Sequence, residues 1–134
     1  MRRILLTAAI ACGLCAASFS ARAADTNKEV KGVLIDNNCG SKQMSKANPE
    51  EAAEGHPKSC SMKEGCAASG FAVISGKKLI KLDDAGNEKA KAYLKEETNA
   101  SRVVVMGTLS DDGKTMKVTD IKADKSAKDK KKES

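Results

Sequence analysis

The 134-residue sequence has no tryptophan, one tyrosine, two phenylalanines, two prolines and a single histidine. The shortage of aromatic rings argues against a single-strand nucleic-acid binder, which stacks bases on such rings along a basic groove. With His56 as the lone histidine, no H-E-x-x-H zinc helix can be written, and G-x-S-x-G, C-x-x-C-H and a phosphate-cradling glycine loop are missing as well. The adjacent carboxylates Glu50/Glu51, Asp83/Asp84 and Asp111/Asp112 lack calcium-loop spacing and suit solvated faces and turns. An enzyme is therefore not expected. The one extended apolar run, Ile4 to Ala17, is too short to cross a bilayer comfortably.

That run follows Arg2 and Arg3 and precedes Ala21-Arg22-Ala23, the order of a positive n-region, an apolar h-region and a small-residue cleavage site. Residues 1–23 therefore read as a signal peptide cleaved after Ala23, and the protein as periplasmic or secreted. Cys12 and Cys15 lie inside this leader. Leu14 is too large for the position ahead of a lipidated Cys15, and lipidation at Cys12 would leave a very short apolar core, so both count as small apolar residues of the h-region. Processing leaves 111 residues, enough for one domain with a modest core and no second one. It also lowers the net charge from +6 to +3, of which the tail 123–134 carries +2. The pI of 9.1 thus reflects leader and tail, and nucleic acid is not an expected partner.

Past a polar lead-in, Val30 to Ile35 is β-branched and apolar and predicts a first strand, with Gly32 as a bulge or tight bend. Asp36-Asn37-Asn38 ends it, because these side chains compete for backbone hydrogen bonds. From Ser41 to Ser69 the chain has little apolar content, and its middle predicts one short helix over residues 49–54, capped by Asn48 with Pro49 in the first turn. Phe71 to Ile74 and Leu79 to Leu82 flank Ser75-Gly76-Lys77-Lys78, a hairpin signal. Asp83 to Gly86 reads as a turn and Asn87 as the cap of a helix to about residue 97, with Ala90, Tyr93 and Leu94 on one face. Arg102 to Leu109 and Thr115 to Lys122 are strands across the Asp111-Asp112-Gly113-Lys114 turn, the former apolar on both faces at its centre and so expected to be central in its sheet.

The fold expected from this order is mainly β with one counted helix: a five-stranded OB-like barrel over residues 24–122, with a long Cys-rich loop between strands 1 and 2. An open α+β sheet is the alternative. Residues 123–134, lysine-rich and without apolar periodicity, are expected to form a disordered tail.

The chemistry concentrates in that loop, which holds Cys39, Met44, His56, Cys60, Met62 and Cys66. In an oxidising compartment one disulfide among the three cysteines is expected. The chain-entropy model values Cys60–Cys66 at about 2.4 kcal/mol and Cys39–Cys66 at about 3.6, and a long-range bridge from Cys39, to Cys60 ahead of Cys66, also ties strand 1 to strand 2. One thiol is left over; the expectation is that it is buried and inert, with a disulfide-linked dimer or a metal ligand as the alternatives to a monomer. The sharper reading joins it to His56, Met44 and Met62, since thiolate, thioether and imidazole suit copper(I), or zinc(II) if all three cysteines and His56 coordinate. The spacing is not that of a zinc knuckle.

Val33-Leu34-Ile35-Asp36 with Cys39-Gly40, then His56 and Cys60, then Cys66 before Ser69-Gly70-Phe71-Ala72-Val73 make a pattern. It resembles a group of small exported bacterial proteins of unknown function, with a strand ending in Asp before a Cys, a Cys-rich loop, and a Leu-Asp-x-x-Gly-Asn turn, here Leu82 to Asn87. The resemblance covers about residues 30–121 and implies no particular activity. More distantly, the element order is similar to that of periplasmic bacterial OB-fold proteins associated with stress tolerance, a likeness of topology that leaves function open. The expected function is a monomeric exported binding or envelope-accessory protein without catalysis, its ligand and partners unspecified and no cofactor assigned. The competing expectation is a copper- or zinc-handling protein.

Overall fold

The computed structural model describes residues 27–126; the expected signal peptide and the end of the lysine-rich tail lie outside the described residues. The element order is β1 (Lys28–Asp36), α1 (Asn37–Gln43), α2 (Pro49–Glu54), α3 (Lys58–Ser61), α4 (Glu64–Ala68), β2 (Phe71–Ser75), β3 (Lys78–Leu82), α5 (Asp84–Lys95), β4 (Arg102–Leu109) and β5 (Thr115–Ala123). The chain is mainly β, and its five strands close in a ring in the order β1-β2-β3-β5-β4, with β4 returning to β1. The β3–β5 pair is parallel and the others antiparallel.

β1 serves two neighbours. Lys28–Val33 pairs with β4 and Val33–Asp36 with β2. The strand changes partner beside Gly32, where a Cβ would run into the Ile74 carbonyl, so the bend expected there coincides with a close approach of two backbones. β4 lies between β1 and β5, but its burial alternates, with Val103 and Val105 fully inside and Val104 and Met106 half-exposed. The strand is thus flanked on both sides, as its apolar run predicts, and buries one of its two faces.

Inside the ring, Leu34, Phe71, Val73, Ile80, Leu82, Val103, Val105, Met116 and Val118 form the main core. Helix α5 covers it with Ala90 and Leu94, spaced i, i+4 on one face. Each such Leu, Ile, Val or Phe side chain contributes about 1.5–3 kcal/mol by leaving water. Tyr93, on the flank of that face, donates its hydroxyl to the Ala100 carbonyl at 3.0 Å.

Helix α5 starts four residues earlier than the sequence predicts. Its cap is Asp83, whose Oδ1 accepts from Gly86 N at 2.9 Å and from Val118 N at 3.0 Å, so Asp84 to Gly86 is a first helical turn. Asn87 is used elsewhere: its Oδ1 accepts from Phe71 N at 2.8 Å. The single counted helix is corrected more heavily in the Cys-rich loop, which folds into four short helices, α1 to α4. These are too short to show a hydrophobic period, and they form because tertiary contacts hold them. The helix expected at 49–54 is there as α2, but Asn48 makes no side-chain cap and its Nδ2 instead donates to Glu51 Oε2 at 3.3 Å.

Helices α1 and α2 pack on the outer side of β1 and β2. There Val33, Ile35, Ala53 and Ile74 form a second small core, with Cys39, Met44 and Leu79 against it. Among the described residues no helix is long and apolar enough to cross a membrane.

Candidate metal centre

The strand pairing itself explains why the cysteines meet. Asp36 is the last residue of β1 and lies opposite Phe71, the first of β2, so the loop leaves and returns at one point. Its ends are sewn together there: Asn37 N donates to Gly70 O at 2.9 Å, Asn37 Nδ2 to Ser69 O at 2.6 Å and Asn38 N to Ser69 Oγ at 3.3 Å. Cys39 follows this junction by a few residues and Cys66 precedes it by a few, so both stay beside it. Cys60 is brought in by the neighbouring helix α3.

Three further contacts hold the excursion to the body. Arg102 on β4 grips α2 through Glu50 at 2.8 Å and Glu54 at 3.3 Å. Lys58 at the start of α3 donates from Nζ to the carbonyls of Glu96, Glu97 and Asn99, at 3.2, 2.8 and 2.5 Å, beyond the end of α5. Ser61 is buried, and its Oγ accepts from Asp36 N at 3.4 Å.

At the centre of this arrangement is Asp36, whose side chain is fully buried. One of its oxygens, Oδ1, accepts from Cys39 N at 2.8 Å and so caps α1. Its other oxygen, Oδ2, faces His56 Nε2 at 3.8 Å, beyond hydrogen-bond range, and both atoms are buried without a hydrogen-bond partner. Gly40 lets α1 lie this close to the sheet. A Cβ there would sit 3.0 Å from Leu79 Cδ1 and 3.1 Å from Ile35 Cγ2.

Cys39, Cys60 and Cys66 are free thiols, all half-buried, with their sulfurs within 4.8 Å of one another. A second group, Asp36, Cys39 and His56, meets the same 4.8 Å limit. Burial pushes the Cys39 thiol up to about 12, and the adjacent Asp36 carboxylate and Cys66 thiol add to the shift by disfavouring a further negative charge. Near neutral pH this sulfur keeps its proton unless a cation takes its place.

The structure thus gathers four of the six residues that the sequence singles out, in two groups joined at Cys39. Met44 packs against the second core, as Cys39 also does, and Met62 against the main one. Asp36 is the residue that the sequence reading treats only as a strand terminator. Its signal was the Asp-x-x-Cys spacing, which puts a carboxylate at a helix cap and a thiol on the first turn. Comparison with known proteins finds no match among family models, curated proteins or solved structures.

Proposed function

We propose that this chain is an exported, monomeric, non-catalytic protein of OB type whose loop binds a thiophilic d10 ion, zinc(II) or copper(I), through Cys39, Cys60 and Cys66. The observation that carries the reading is the convergence of three sulfurs within 4.8 Å. Zinc–sulfur bonds of about 2.3 Å at tetrahedral angles set sulfurs about 3.8 Å apart, so only a small contraction is asked of the loop. Thiolates select such ions over magnesium or calcium. The leader in the sequence supports export, and the strand order with α5 between β3 and β4 supports the OB reading. The ion would replace the thiol protons and hold together a loop whose four helices are each too short to persist alone.

The test is metal titration of the reduced protein against a competing chelator, with thiol counting. Wild type should take up the ion and shield all three thiols from alkylation. Loss of one ligand in Cys60→Ser or Cys66→Ser should weaken binding by more than about 100-fold, above the loss typical of an outer partner of a ligand. After chelation in air, one disulfide and one free thiol should form. Equal affinity in wild type and both serine variants would overturn the reading.

A further inference from the structure

The donors fall into two sets that meet at one atom, the Cys39 sulfur. We propose that the centre holds two divalent cations of zinc character bridged by the Cys39 thiolate, the first on Cys39, Cys60 and Cys66 and the second on Asp36, Cys39 and His56. This inference rests on the reading of the three thiols as a metal site and adds a second ion to it.

The buried pair is what calls for the second ion. Asp36 Oδ2 and His56 Nε2 are both shut away from solvent with no hydrogen-bond partner, a costly state for a carboxylate oxygen with none of its side chain exposed. Their 3.8 Å separation is too long for a hydrogen bond. It is near the spacing of about 3.4 Å that two ligands take on one zinc ion with bonds of about 2.1 Å. Cys39 supplies the third donor, and a thiolate has lone pairs enough to serve two ions. The helix cap keeps it there, because Asp36 Oδ1 holds the Cys39 backbone while Oδ2 points at His56.

Charge supports the count. Cys39, Cys60 and Cys66 as thiolates and Asp36 as a carboxylate bring four negative charges, with His56 neutral. One divalent ion would leave two of these uncompensated around a buried carboxylate, whereas two ions make the cluster neutral. Loading releases the three thiol protons to solvent, and no electron is transferred.

The experiment loads the reduced protein with zinc(II) and counts bound ions by native mass spectrometry, then repeats the loading with cobalt(II) under electron paramagnetic resonance. Wild type should bind two ions, and the cobalt signal per ion should fall as the second equivalent enters, because a shared sulfur couples the two spins. His56→Ala should bind one ion with an uncoupled signal, and so should Cys60→Ser. A wild-type count of one, unchanged in His56→Ala, overturns the second ion and leaves the three-thiol site standing. A count of one that is lost in both variants also overturns it, in favour of a single mixed site. Two ions in wild type and in His56→Ala overturn the assignment of the second to His56, and no ion in wild type overturns both readings. The wild-type count decides even where a variant fails to fold.

Discussion

Replacing Asp36 separates two jobs that one side chain performs. Asp36→Asn keeps the size and an oxygen that can accept from Cys39 N, now at 2.8 Å, and Asn ranks with Asp as a helix cap. It removes the negative charge. Asp36→Ala removes charge and cap together and leaves the Cys39 N–H without its acceptor. A lost cap costs about 0.5–2 kcal/mol. For a domain of this size a loss of 1 kcal/mol lowers Tm by about 4–8 °C. In reduced, metal-free protein, melting by circular dichroism should therefore put Asp36→Ala about 2–16 °C below wild type and Asp36→Asn much closer to it. The charge has its own readout. Because Asp36 holds the Cys39 thiol up, Asp36→Asn should lower the midpoint of Cys39 alkylation against pH, while burial, the larger cause, keeps it above the ordinary 9.0. The alkylation is followed in a Cys60→Ser/Cys66→Ser background carried through both samples. Equal destabilisation by the two substitutions would refute the capping argument, and an unmoved midpoint would refute the electrostatic one.

Two other consequences follow from the same geometry. Cys39 has a folded value of about 12 against 9.0 for an ordinary thiol, so as pH climbs through that window the unfolded chain gives up its proton first. The linkage slope is then negative: the term is fully present below pH 9 and is lost toward pH 12. Urea midpoints of metal-free wild type should fall more steeply over this range than those of Cys39→Ala, and parallel curves would contradict the shift. Lys58→Met removes the ammonium that bridges α3 to the carbonyls of Glu96, Glu97 and Asn99. With those carbonyls close to solvent, the loss should be about 1–2 kcal/mol, with faster amide exchange in the loop of α3 and α4. Unchanged exchange there would show that this lysine does not anchor the segment.

The strands were legible because each is a short β-branched or apolar run bounded by turn residues, and the hairpin at Gly76 and the turn at Gly113 need nothing beyond their own neighbours. The start of α5 was misplaced because Asp83 and Asn87 are both capable caps, and only the sheet decides between them: Val118 N also needs Asp83, while Phe71 N needs Asn87. Likewise α1, α3 and α4 carry no period to read, being one or two turns held by Ser61, Lys58 and the junction at Ser69 and Gly70.

By itself the sequence determined which side chains could do chemistry, since three thiols and one imidazole between two strands leave few alternatives. It also determined that those strands must be bridged by a long polar excursion. Only the tertiary structure decided that Asp36 belongs with them and that Cys39 stands between two donor sets. The physical reason is that antiparallel pairing of Asp36 with Phe71 closes the loop at its base, and which residues meet across so long a connection is settled by the pairing of β1 with β2 rather than by the loop's own composition.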